Sequence, residues 1–181
     1  MERRLLYIPI LHIDTNLINA RQKLDAVNRL EKWCEEGVVL INMSSTAYSE
    51  AKAGSDEQRI RKANQQIFTI TQPGDRTDPI YRTIESALYP NGANDKNQQN
   101  DVRIVFEAAK YDAILVTGDG ASKSQPGGIL GNRDKLRDLL QIFSPDEAVA
   151  FVQLKICERD EFSVRFAHKS GVAPPAWVGM D

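Results

Sequence analysis

Cysteine, aromatic residues and excess positive charge are all scarce in this 181-residue chain, and each shortage narrows what it does. The two cysteines, Cys34 and Cys157, lie far apart, and neither has a Cys or His at metal-ligand spacing. They are expected as reduced thiols on helix faces, not as a disulfide or a zinc site. Of the two histidines, His12 sits inside an apolar run, which points to a buried, hydrogen-bonded role. Aromatics make up 7% of the chain, and Trp33, Trp177 and Tyr48 are read as packing residues, not as platforms for stacked bases. With 23 Lys+Arg against 25 Asp+Glu the formal charge is −2, so the basic footprint of a high-affinity nucleic-acid binder is missing. An enzyme making a few local phosphate contacts remains compatible with that balance. No apolar run approaches the roughly 18 residues that cross a bilayer. The apolar stretch after Arg3-Arg4 is short, contains Pro9 and His12, and lacks a small-residue cleavage site. It reads as a strand and not a signal peptide, so a cytosolic protein with no membrane partner is expected.

What the chain does contain is an alternation of short apolar runs with helical patterns, the mark of a parallel α/β domain. Residues 5–13 form the first apolar run, of strand length. Asp14-Thr15-Asn16 then offers N-cap chemistry to a helix expected from Leu17 to about Glu36 and stopped by Gly37. Val38–Met43 reads as a second strand. Ser44-Ser45-Thr46 caps a polar helix reaching toward Phe68, with a break signalled at Gly54-Ser55-Asp56. Residues 71–75 read as a turn, Asp78-Pro79 starts a helix through Leu88, and Pro90–Asn97 has the composition of a flexible loop. Gln98–Tyr111 is helical, Ala113–Thr117 a third strand, Gly118–Gly131 a mobile glycine-rich loop, and Asn132–Leu140 a helix. Ile142-Phe143 is a brief strand. Ser144-Pro145-Asp146-Glu147 opens the last helix with a capping-box pattern, and the tail from Gly171 is expected to be loose or extended. The expected architecture is a three-layer α/β/α domain with a mostly parallel sheet over residues 1–155. A C-terminal helical extension and tail follow over 156–181.

Four acids fall where these elements begin or end: Asp14, Glu50, Asp101 and Asp119. Each has an ordinary reading of its own. Asp14 makes a plain N-cap, Glu50 a solvated helix residue, Asp101 a helix-dipole acid and Asp119 a turn residue before Gly120. Together they describe something else. Carboxylates at the C-terminal ends of parallel strands point into the crevice where such sheets bind ligands. Four converging there repel one another unless a hard cation sits between them, for which Mg²⁺ or Mn²⁺ is the expected occupant. Asp112, Asp134 and Asp138 are read as surface acids.

At Ile13-Asp14-Thr15-Asn16-Leu17, Ser45–Glu50, Asp101–Ala109 followed by Leu115–Asp119, and Ile142–Ala148, the chain resembles the PIN domain family of metal-dependent nucleases. The resemblance spans about residues 5–155. Two departures stand out: the stretch 69–99 is longer than a minimal member needs, and the tail beyond 155 has no counterpart. The resemblance implies an endoribonuclease, with Asp14, Asp101 and Asp119 organising the metal and Glu50 completing the acidic ring. Asn16 and Thr117 would support the acids or a bound water. Arg59, Arg61, Lys62 and Lys123 are candidates for holding RNA phosphates, although a basic helix cluster is commonly a solvated face. The resemblance further implies an inhibitory, antitoxin-like partner protein and is compatible with a homodimer. Two alternatives remain open from sequence: a PIN-like nuclease acting on DNA, and a non-catalytic PIN-like binding module.

Overall fold

The computed structural model describes residues 4–18, 21, 23–66, 75–120 and 127–181. Four strands, β1 (Leu11–Ile13), β2 (Ile41–Met43), β3 (Ile114–Val116) and β4 (Ile142–Phe143), form one parallel sheet in the order β2-β1-β3-β4. Parallel neighbours cannot be joined by hairpins, so helices make every crossover and cover both faces. These are α1 (Asp25–Glu35), α2 (Ser45–Ala53), α3 (Glu57–Gln66), α4 (Pro79–Leu88), α5 (Lys96–Lys110), the single-turn α6 (Gly128–Gly131) and α7 (Pro145–Ser170). Helix α1 packs with α7, while α5 packs with α2 and α4. The three-layer expectation holds, and the sheet is wholly parallel among the described residues. Leu11, Ile13, Met43, Leu115 and Val116 of the strands are buried against Leu30, Ile84 and Phe106 of the helices. No helix among the described residues is long and apolar enough to cross a membrane.

The topology itself nominates a place for ligands. From β1 the chain moves to β2 on one side, yet β3 and β4 lie on the other. The crevice beyond the C-terminal ends of β1 and β3 is therefore the switch point of the sheet, the position where open α/β sheets bind their ligands.

Several elements differ from the expectation. The first strand spans Leu11–Ile13 instead of 5–13. Pro9 has no N–H for a ladder, Tyr7 is fully exposed, and the segment is tied to the sheet by isolated bonds, Leu6 N–H to Val38 O (2.8 Å), Leu11 N–H to Leu40 O (2.9 Å) and Ile114 N–H to Ile10 O (2.9 Å). A 3₁₀ turn at Thr15–Leu17 follows β1, and α1 begins only at Asp25, because Leu24 is extended. Leu17 and Ile18 are buried as a plug beside β1 and not as the first turn of a long helix. The break at residues 54–56 separates α2 from α3 as expected, and Gly37 ends α1's turn at φ +74°. The segment expected as a loop over 90–97 is ordered: Gly92 turns the chain at φ +82°, and Asp95 caps α5 by accepting from Gln98 N–H. Instead of a helix over 132–140 there is one 3₁₀ turn, Arg133–Lys135, and α6 occupies the end of the expected glycine-rich loop. The turn expected at 71–75 lies, but for Asp75, outside the described residues.

Helix α7 carries the full capping box at Ser144 and Glu147 and runs unbroken across residue 155 to Gly171, which closes it at φ +67°. The tail is folded back onto the helix, not loose. Arg159 donates to Asp181 (2.7 Å) and to the Arg4 carbonyl (2.6 Å), and its guanidinium lies 4.6 Å from the Trp177 ring centre. Gly179 N–H donates to Asp160 (2.8 Å). One arginine thus joins the N-terminal segment, α7 and the tail. Both cysteines are free thiols, Cys34 half-buried on α1 and Cys157 exposed on α7.

Candidate active site

The chain leaves β1 at Asp14, whose side chain is 5% exposed. Its Oδ1 accepts from Thr15 N–H (2.5 Å), and its Oδ2 accepts from the Thr117 hydroxyl (2.6 Å) and the Asn16 amide (2.8 Å). Thr117 directly follows β3 and its hydroxyl also accepts from Asp119 N–H (3.0 Å), while Asn16 Oδ1 accepts from Gly118 N–H (3.0 Å). Asn16 and Thr117, both expected as supporting residues, stitch the ends of β1 and β3 together around Asp14.

The other three acids arrive from separate elements. Glu50, on the second turn of α2, accepts from the Thr15 hydroxyl (2.8 Å) and from the Asn100 amide of α5 (2.6 Å). Asp101, next to Asn100, accepts from the Tyr89 hydroxyl (2.6 Å). Asp119 Oδ2 accepts from Ile129 N–H (2.8 Å) and its carbonyl from Leu130 N–H (3.0 Å), so α6 is fastened to it. All four acids line a single open cleft of about 640 Å³ at the switch point. Asp95, which caps α5, Asn97 and Gln98 of its first turn, and Tyr89 line the same cleft. The stretch that lengthens the chain before α5 therefore builds part of the site.

The charges in this cleft feel one another. Burial, and then the fields of Glu50 and Asp119, push the Asp14 carboxyl up to about 6 against the opposing hydrogen bonds from Thr117 and Thr15. Asp101 is pushed up to about 7, by burial first and by Asp14, Asp119 and Glu50, despite its bond from Tyr89. Burial and the bond to Asp101 drive the Tyr89 phenol upward, so Tyr89 keeps its proton and acts as a donor. An oxygen-only set of carboxylates short of countercharge suits a hard divalent cation. Among the described residues, however, no three of the His, Cys, Asp and Glu side chains are grouped so as to hold a metal ion as they stand. The donor chemistry fits; a bound ion requires the acids to draw closer together.

The basic residues divide. Arg59 lines the cleft, its Nη2 donating to the Thr15 carbonyl (2.7 Å) while its covered Nε has no hydrogen-bond partner. Arg61 is exposed, and Lys62 forms an ion pair with Glu31 of α1 (2.7 Å); neither lines the cleft. Lys123 lies outside the described residues. Sequence reasoning missed Thr15, Asn100, Tyr89 and Gly128. Adjacency to Asp14 and Asp101 was a usable signal for Thr15 and Asn100, whereas nothing local marked Tyr89. His12 is buried in β1, away from the cleft lining, with Nδ1 lacking a hydrogen-bond partner, and burial pushes it down to about 4 against the pull of Glu107.

Gly128 is required by space as well as by its φ of +55°. A Cβ there would lie 2.7 Å from the Asp119 carbonyl and 2.8 Å from both carboxylate oxygens. Gly128→Ala will displace Asp119; if the cleft is catalytic, a displacement near 1 Å costs about a hundredfold in rate, which steady-state kinetics on the folded variant check.

The raised acids also fix a pH dependence. Asp14 and Asp101 bind protons more tightly when folded, so the stability they allow is complete below about pH 4 and falls as pH rises to about 7. His12 acts oppositely: depressed from 6.5 to about 4, it makes stability rise with pH over that window. One imidazole offsets only one of the two carboxylates, so the net trend is still a fall from about pH 4 to 6, and Asp101 alone continues it above about pH 6.5. Metal-free Asp101→Asn will therefore be more stable than the parent at pH 8, by about 1–2 kcal/mol after allowing for solvent screening, and no more stable near pH 4. Urea denaturation in EDTA at the two pH values measures the difference.

No protein-family model matches this chain, and no match is found among characterised proteins.

Proposed function

We propose that the cleft is the active site of a PIN-like, divalent-metal-dependent nuclease that hydrolyses phosphodiester bonds in RNA. The observation that carries this reading is the meeting of four carboxylates from four separate segments at the switch point of a parallel sheet. Two of them are held short of ordinary acidity by burial and mutual repulsion. Asp14, Asp101 and Asp119 would hold Mg²⁺ or Mn²⁺, directly or through water, and the ion would supply Lewis-acid stabilisation and an acidified water. Thr117 and Asn16 hold Asp14 in a fixed orientation. Glu50, gripped at one oxygen by Thr15 and at the other by Asn100, orients the attacking water. Tyr89 keeps Asp101 turned toward the cleft, and Arg59 supplies the cation at its rim. The choice of RNA over DNA rests on the family resemblance alone, as do an antitoxin-like inhibitor and a homodimer.

The dispersed arrangement of the acids favours a second reading, a PIN-like module that binds without cutting. Labelled single-stranded RNA and DNA of matched sequence, incubated with the protein in Mn²⁺ or EDTA, separate these. The nuclease reading expects metal-dependent cutting of RNA. Cutting confined to DNA would reassign the substrate, and no cutting of either by folded protein would leave the binding module.

A further inference from the structure

A second, smaller cavity of about 280 Å³ adjoins the acidic cleft and shares two lining residues with it, Asn16 and Arg59. Its other charged walls are Arg21 and Lys23, from the segment between the 3₁₀ turn and α1, and Asp56. Among the described residues that line it, three are cations and one is an acid. That acid is already engaged, since Asp56 Oδ1 accepts from Gln58 N–H (3.0 Å) and Arg59 N–H (3.1 Å). Its contact with Arg21, at 3.9 Å between two largely exposed side chains, is weak. Among the described residues that line the acidic cleft, Arg59 is the one cation.

We infer that Arg21, Lys23 and Arg59 form a phosphate subsite for the strand on one side of the scissile bond, entered across Asn16. The inference rests on the nuclease reading for the identity of the ligand, a single-stranded nucleic acid. The physical argument is complementarity. A phosphodiester strand lying in an acidic cleft with metal gains nothing from carboxylates farther along, and its next phosphates are attracted where cations outnumber acids. Arg59 stands on the boundary between the cavities, with Nη2 fixed on the Thr15 carbonyl. The subsite is therefore anchored to the residue that follows Asp14. The bulk charge of −2 hides this local arrangement.

The test is RNA binding by the full chain in EDTA, read by fluorescence anisotropy of a labelled single-stranded oligonucleotide over a range of salt concentrations. Each phosphate contact on a single strand contributes about 0.7 to the slope of log affinity against log salt, so Arg21→Ala/Lys23→Ala reduces that slope by about 1.4. Arg137→Ala/Arg165→Ala, which removes the same charge from exposed positions elsewhere, leaves the slope unchanged. An equal fall in both double variants, an unchanged slope in the first, or no RNA binding by the parent protein overturns the subsite. Cleavage is scored separately on the same preparations. A parent that binds with the predicted slopes but does not cut keeps the subsite and sinks the nuclease reading. One that cuts with an unaltered slope in the variant does the reverse.

Discussion

Asp14→Asn will abolish metal-dependent cleavage while leaving the fold intact. The substitution keeps the size of the side chain and an oxygen for Thr15, but removes the charge that any cation in the cleft requires. Metal stabilisation of the transferring phosphoryl group is worth several kcal/mol, so a loss of at least about a thousandfold in turnover is expected. The variant also relieves the repulsion that Asp14 shares with Glu50 and Asp119. Against that relief, the amide that replaces Oδ2 no longer accepts from Thr117 and Asn16, so the metal-free form will melt close to the parent in EDTA. Lost activity together with lost stability would instead make Asp14 a structural cap.

The largest effect on stability is expected at a residue outside the cleft. Glu107 of α5 is fully buried and accepts three hydrogen bonds from the start of α2: Ser45 N–H (2.8 Å), the Ser45 hydroxyl (2.9 Å) and the Thr46 hydroxyl (2.5 Å). It fastens the helix that carries Glu50 to the helix that carries Asp101. Glu107→Ala removes the acceptor of all three donors, at about 1–3 kcal/mol for each buried group left unsatisfied and less for the half-buried Ser45 hydroxyl. A total near 4 kcal/mol lowers the melting temperature by about 10 °C in a chain of this size. Glu107→Gln, which keeps one oxygen acceptor, will cost less than half as much. Equal melting of all three proteins would remove Glu107 from this account.

What was legible in the sequence follows from how local each feature is. The buried runs ending at Ile13, Met43 and Val116 announced themselves because both faces of a parallel strand are apolar. Asp14 and Asp119 could be placed from the strand ends alone. Capping residues such as Ser44 and Ser144 act within one turn, and the structure has them where the sequence put them. Features set by distant partners were not legible. Tyr89 reaches Asp101 only because α4 and α5 fold against each other, with Tyr81 meeting Phe106 edge-on at 5.6 Å. The tail gave no sign of being held, since Arg159 gathers residues from both ends of the chain. Apolarity misled at residues 5–10, where Tyr7 faces solvent. Clustering misled at Lys62, whose charge is used by Glu31 to join α3 to α1.

The most direct test of the central claim is calorimetric titration of the parent protein and Asp14→Asn with Mn²⁺ at pH 8, where Asp14 and Asp101 are both ionised. The account predicts saturable binding by the parent that is lost or severely weakened in the variant, showing that the dispersed acids close around an ion. No saturable binding by the folded parent, or equal binding by both proteins, would contradict it.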